Sequence, residues 1–543
     1  MTNTRRYNHF VIFALILIAG LGFGLALPWL ANAQVMAADE KPNEPLDFAE
    51  VIHSAELANA LAAEGNGNTP TLDLCFATHN DGTDVFSELD ASAVQQAVDA
   101  ASSGDTVKVA GTCIGVQNRA GLMQTVYISK SLTLEGGHTE SDWTLEPDPD
   151  TYTTTLDADD GGRVVLISGT IDVSLDSLFL TGGVADAGGG IYSNGALTLT
   201  NSTIYSNTAK GFGGGMYTRY FSPTLNSVDF TSNLAENGGG LYIDRGNSTM
   251  NSVNFTGNKA TNDGGGLGIN RGSSIMTNVN FTDNMATSDG GGLEISSGSS
   301  IMTNVNFTGN MAEYCGGSNN DQSPCLMTNL TFTKNTATSL GGGLCNVYSN
   351  SMMTNTLISG NKAEYGAGVY DYESESTFIN ATFSGNSALD YGGGMMVEGG
   401  SSEVYNSIYW NNQDSSGADT INSTIYLTDS AKITLTHSLV EGSGGSGVWA
   451  LDPGYVNGGD NIDEDPMFVT PVDPATAPTT DGNLRLTKDS PAIDAGDNQY
   501  ITITFDLDNK VRKVDGNMDG TATVDMGAYE TYPYDIFEPV LFR

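Results

Sequence analysis

Three sets of side chains in this sequence have types and spacings suited to chemistry. Asp515, Asn517 and Asp519, followed by Gly520, put oxygen ligands at the first, third and fifth places of a loop with glycine sixth, the opening of a calcium loop. The twelfth place, where such a loop needs an acid, holds Met526, and Asp525 stands one residue early. The expectation is a calcium site of Asp515, Asn517, Asp519 and Asp525, or an Asp-rich turn that merely starts strands. No other cofactor is expected. Arg219, Arg245 and Arg271 recur at a near-constant interval and would make either a basic strip beside Asp244 or a set of exposed turn arginines. Tyr192, Tyr217 and Tyr242 recur every 25 residues. Alternation along a strand points them outward, as a stacking platform for sugar rings or as rings shielding a sheet face.

Catalysis on such a surface would be polysaccharide cleavage. Hydrolysis needs paired carboxylates, and elimination needs acidic calcium ligands with an Arg or Lys base. The five histidines, His9, His53, His79, His138 and His437, all lie outside the most regular part of the chain, which removes a histidine-assisted hydrolase pattern.

Those side chains have to be held by a repeat. A glycine motif, most often G-G-G-[LM], returns every 25 or 26 residues, counted at its third residue from Gly190 to Gly394. An upstream asparagine keeps the same period: Asn207, Asn233, Asn258, Asn284, Asn310, Asn335, Asn361 and Asn386, then Asn412. Two independent markers on one beat over some two hundred residues define a repeat array. Three residues before each asparagine stands a large apolar residue such as Phe255, Phe281 or Phe307, and eight before it another, such as Met250, Met276 or Met302. Val253 and Phe255 are two apart and share a strand face, whereas Met250 lies three before Val253, so the chain must bend near Asn251-Ser252.

The expected fold is all-β: a right-handed parallel β-helix of about 25–26 residues per coil, with like residues stacked in columns. Glycine suits corners that need positive φ or close backbone approach. The asparagine is expected to take the left-handed region there. Its amide is expected to bond to its equivalent in the next coil, forming an internal ladder. The string M-x-x-V-x-F-x-x-N also fits a leucine-rich repeat, but KATNDGGGLGINRGSS, which follows, has no helical periodicity.

The repeat F-x-x-N followed by G-G-[GA]-[LIM], over about residues 199–412, resembles the repeats of polymorphic outer membrane proteins, which implies a β-helical surface adhesin. Those proteins end in a transmembrane barrel, and residues 395–543 do not read as barrel strands. NIDEDPMF (461–468), DSPAIDAGDN (489–498) and VDMGAYE (524–530) are similar to the choice-of-anchor Q segment of bacterial β-helix proteins, which implies association with a cell surface. Residues 92–101 read as a short amphipathic helix capped by Ser92, with the strand SGDTVKVAG after it, and resemble the N-terminal cap of exported, pectate-lyase-like β-helix proteins.

Residues 1–33 read as a signal peptide, with Arg5 and Arg6 before an apolar run and Ala31-Asn32-Ala33 at the cleavage site. Residues 34–72 read as an acidic leader, 73–190 as the cap and first irregular coils, 191–440 as the regular β-helix and 441–543 as a β-rich C-terminal segment. No segment that spans a membrane is expected once the signal is removed. The formal charge of −43 repels nucleic acid and anionic polysaccharide and attracts divalent cations. Export permits disulfides, and with five cysteines at least one has no partner within the chain. Cys315 and Cys325, which bracket GGSNNDQSP, are the expected pair, and Cys75 with Cys113 a second. The function expected is that of a secreted or surface-attached, non-catalytic protein that contacts extracellular glycans or surface proteins. A polysaccharide-binding or -cleaving protein of the pectate-lyase-like kind and a structural surface-layer component remain the alternatives.

Overall fold

The structure, a computed structural model, describes residues 74–533 apart from 419, 429 and 450. The signal peptide and acidic leader read in the sequence lie outside the described residues. The chain winds into a right-handed parallel β-helix of about 14 turns. Each regular coil lays down three strands, for example Ser274–Thr282 on a long sheet, Met285–Ala286 on a short sheet and Leu293–Ser296 on a third sheet. Every strand pairs in parallel with its counterpart one coil away, so Phe255 lies beside Phe281, Met276 beside Met302 and Leu267 beside Leu293.

Repetition makes the core a set of columns. Phe255, Phe281, Phe307 and Phe332 are fully buried, their rings parallel to within 4° and 4.7–4.9 Å apart. The bend needed between the two inward-facing halves of the long strand falls on one residue per coil. Ser252, Asn278 and Asn304 adopt φ of 55°, 54° and 55°, so Met276 and Val279 both reach the interior although three residues apart. At the next corner the ladder forms. Asn284 Nδ2 donates to Asn310 Oδ1 (3.0 Å) and to the Phe255 carbonyl (2.8 Å), and the Asn284 N–H donates to the same Asn310 oxygen. The same bonds run from Asn207 to Asn412, with every amide buried. The left-handed residue at this corner is the one before the asparagine, Asp283 (φ 52°) or Gly257 (φ 63°), and not the asparagine as the sequence suggested. Asn284 keeps an ordinary backbone because its own N–H has to point along the ladder.

The three glycines divide their tasks. Gly264 (φ 68°) makes the left-handed turn. Gly265 and Gly266 lie so close to the next coil that an added Cβ would stand 2.3 and 2.7 Å from the carbonyl oxygens of Gly291 and Gly292.

The solenoid starts with helix α1 (Ser92–Ala100), which lays Ala93, Val94, Ala97 and Val98 over the first strands. Ala91, not Ser92, is its N-cap, and the Asp90 carboxylate takes the Ser92 N–H (2.8 Å). Parallel pairing continues past residue 440, to Tyr455–Gly459 beside Lys432–Thr436. Residues 463–533 fold back on the outside of the long sheet, where Phe468, Val472, Leu484, Ile493 and Met526 pack on Ile408 and Leu439.

Disulfides join Cys75 to Cys113 and Cys315 to Cys345. The Cys315–Cys325 pairing read from the sequence is therefore replaced. Cys315 takes the place of the first glycine (φ 59°), and Cys345 projects from the third sheet one coil later, with Cα atoms 5.4 Å apart. The strand Ser318–Asp321 carries the chain across the third sheet before Cys325, whose buried thiol turns inward toward the Ser323 carbonyl and Asn320. Burial pushes that thiol up to about 12.

Candidate functional site

The outward positions of the third sheet bring most of the sequence-derived site residues together. Tyr192, Tyr217 and Tyr242 occupy the second place of successive strands and lie in register. Their rings pack against one another, inclined at 60° with centroids 5.3 Å apart for the first pair and stacked at 6.1 Å for the second. Phe212, on the corner before the strand, closes the group at 4.8 Å from Tyr242 and 5.9 Å from Tyr217. This clustering hides the middle ring: Tyr217 is only 8% exposed, while Phe212 is 39% exposed. Burial raises the Tyr217 hydroxyl to about 12 and that of Tyr242 further still.

Cations hold this aromatic group in place. Arg163 sits over the Tyr192 ring at 4.9 Å, its guanidinium pinned by the carbonyls of Gly188 and Ala187. Arg219 and Arg245 both approach the ring of Tyr220, at 4.9 and 5.4 Å, and both donate to its hydroxyl. Arg219 also pairs with Asp244 (3.0 Å). Tyr220 is 56% exposed and has a left-handed backbone (φ 65°), which turns its ring over the two arginines. Arg271 is exposed and joins none of these contacts. Sequence reasoning found the tyrosine file and the arginines but missed Phe212, Tyr220 and Arg163, which fall outside the repeating columns. Their only signal was an aromatic or basic residue where neighbouring coils carry polar ones.

Next along the same face come carboxylates. Asp263 and Asp289 hold the corner place before the glycines in consecutive coils, and Glu294 the second place of its strand. Asp263 accepts from Asn262 Nδ2 (2.9 Å) and from the Asp289 N–H (3.3 Å), and Asp289 from the Ser288 hydroxyl (2.7 Å). Burial is the main cause that lifts all three, Asp289 to about 6 and Glu294 well above the usual range. Their mutual repulsion adds to the shift of Asp289 and Glu294. Beyond them stand the Cys315–Cys345 bridge and a second aromatic group, in which Tyr391 and Tyr426 stack at 4.5 Å and Tyr370 donates to Glu398 (2.6 Å). An acidic strip thus lies between two tyrosine clusters.

The remaining candidates lie elsewhere. Asp515 and Asn517 accept backbone N–H groups of Asp519 and Gly520, and Asp519 that of Thr521, so these three close a turn on themselves. Asp525 is not with them. It is fully buried, accepts from the N–H groups of Asp494 and Thr531, and shares a cluster with Glu530 and Arg512. Among the described residues no group of three or more acidic, cysteine or histidine side chains is placed to hold a metal ion. Nor is any helix among them long and apolar enough to cross a membrane. Open hollows of about 450 and 570 Å³ share Ser222, between the third sheet and the long sheet, and are lined mostly by serine, threonine and small aliphatic residues.

The family described as "Right handed beta helix region" matches residues 301–458. Among solved structures, the crystal structure of a pectate lyase (Pel9A) is similar, with 13% identity and a TM-score of 0.29, over 80% of this chain and 90% of that one. None of the curated proteins matches.

Proposed function

We propose that this chain is an exported, non-catalytic β-helix protein that contacts extracellular carbohydrate through the outer face of its third sheet. The observation that carries this reading is the clamped aromatic platform: Tyr192, Phe212, Tyr217 and Tyr242 packed against one another, with Tyr220 held over Arg219 and Arg245. Rings fixed before binding lose little freedom when a sugar stacks on them, and a neighbouring guanidinium supplies hydrogen-bond donors for hydroxyls. The signal-like residues 1–33 support export, and the resemblance of the C-terminal motifs to a choice-of-anchor Q segment supports a place at a cell surface. The charge of −43 argues against a nucleic acid partner.

A second reading is favoured by one feature. Burial raises the Glu294 carboxyl well above its usual range beside Asp263 and Asp289, and a carboxyl raised next to others is a feature of glycosidase acid pairs. Both readings are tested with the full chain on a panel of neutral, amino and acidic glycans. Binding should weaken about tenfold in Phe212→Ala and in Tyr220→Ala, with unchanged melting. Full binding in both variants contradicts the carbohydrate reading. New reducing ends that vanish in Glu294→Gln replace the non-catalytic reading with the hydrolytic one.

A further inference from the structure

The acidic strip contains two acceptors with nothing to accept. Glu294 Oε2 and Asn319 Oδ1 are both buried and have no hydrogen-bond donor. They belong to neighbouring strands in direct register, and Asn319, only 5% exposed, spends its amide on the Glu294 carboxylate. On the other side of Glu294 the register places Gly268, which has no side chain, and beyond that Tyr242. The Tyr242 ring leans into this gap, since a Cβ on Gly268 would stand 2.7 Å from its Cδ2. Tyr242 therefore covers Gly268, and the outer face of the sheet passes directly from an aromatic ring to the orphaned acceptors, with Asp263 and Asp289 on the adjoining corner.

Unpaired buried acceptors are costly, and nearby carboxylates raise the cost of leaving Glu294 charged. Either a proton or a donor from outside relieves them. An ammonium group supplies donors and positive charge together, and a bond of that kind is stronger than one from a neutral hydroxyl. Carboxylated and sulfated sugars are repelled by the same carboxylates. The file from Tyr242 through Gly268 to Glu294 spans two coil spacings, about 9.6 Å, room for one ring stacked on the tyrosine and the next over the acids. Resting on the carbohydrate reading above, we propose that the sheet face at Tyr242, Glu294 and Asn319 selects glycans with free amino groups, an exposed amine binding over Glu294 and Asn319 while its neighbouring ring packs on Tyr242.

Isothermal titration of the full chain with oligosaccharides of glucosamine and of N-acetylglucosamine, equal in length, tests this. The amine form should bind about tenfold more tightly, a preference that shrinks as salt is added. Glu294→Gln should bring the two to within about twofold of each other while Phe212→Ala weakens both alike. Equal binding of the two sugars by the native chain overturns the amine proposal and leaves the carbohydrate reading standing. A preference that survives Glu294→Gln also overturns it, because the selectivity then comes from the overall negative charge. Binding of neither sugar, with no response to Phe212→Ala, removes the carbohydrate reading itself and this proposal with it.

Discussion

The regular coils and the C-terminal segment solve the same problem, buried polar groups, in opposite ways. Along the asparagine file of the coils each buried amide is met by its own copy one turn away: Asn258 to Asn284, Asn284 to Asn310, with no charge involved. The C-terminal segment has no copy of itself to lean on. It buries Arg512 (3% exposed) with Glu530, Asp525 and Asp506, a cluster of side chains that occurs once. Arg512 donates to Asn355 Oδ1 (2.9 Å) and to the carbonyls of Gly527 and Ala528, and so ties the segment to the long sheet. Asn380 and Asn406 extend the attachment, bonding to the backbone of Asp525 and Asp497. Translation gives a neutral, uniform file. Where translation ends, specificity comes from ions, and sensitivity to pH comes with them.

The largest effect should follow from breaking the neutral file. Asn284→Leu removes the donors to Asn310 and Phe255 and the acceptor that Asn258 uses twice, and should cost roughly 3–5 kcal/mol in chemical denaturation. An unchanged midpoint would refute the ladder. Arg512→Met should cost about 3 kcal/mol, because three acids stay buried without their cation. That loss should show as earlier proteolysis of residues 463–531, with the coils unaffected. Gly265→Ala, which drives a Cβ into the carbonyls of Gly291 and Met285, should cost about 2 kcal/mol by thermal melting.

The pH dependence sharpens the contrast. Burial is the largest cause raising the carboxyls of Glu530, Asp525 and Asp506. Repulsion between Asp525 and Glu530 raises Glu530 further, while Arg512 draws Glu530 and Asp506 down and Asp494 pushes Asp525 up. A carboxyl whose folded value is raised favours the fold when protonated. Its contribution is complete below the unfolded value and is lost as pH rises through the folded one. The C-terminal segment should therefore become easier to cleave as pH rises from acid through neutrality, and replacing Glu530 with Gln should flatten that trend. The smallest effect is expected at Arg271→Ala, exposed and unpaired, which should change stability by less than about 0.5 kcal/mol.

The sequence disclosed the coils because their physics is periodic. A column of Phe281 equivalents and a file of Asn284 equivalents can be read by counting, and so can the bend between Met276 and Val279. The attachment of the C-terminal segment was hidden, because it joins Arg512 to Asn355 and Ala528 to Thr382 across about 150 residues with no recurring interval. One trace was present: the outward place held by Asn254, Asn280 and Asn306 changes to Leu357 and then Ile408 where the segment lands. The disulfide was misread for a related reason. Proximity in sequence favoured Cys325, whereas in a solenoid the nearest neighbour lies one winding away, at Cys345. The tyrosine file was legible, but its exposed partners Phe212 and Tyr220 stand off the repeat and needed the fold to bring them in.

Hydrogen exchange of the full chain, with and without a glucosamine oligosaccharide, tests most directly whether the outer face of the third sheet is the working surface. The account predicts slowed exchange at residues 212–220, 241–245 and 289–297, with the long sheet unchanged. Slowing instead on the long-sheet side of the hollow, at Ser248, Thr249, Ser274 and Ile275, or nowhere on the third sheet, would contradict it.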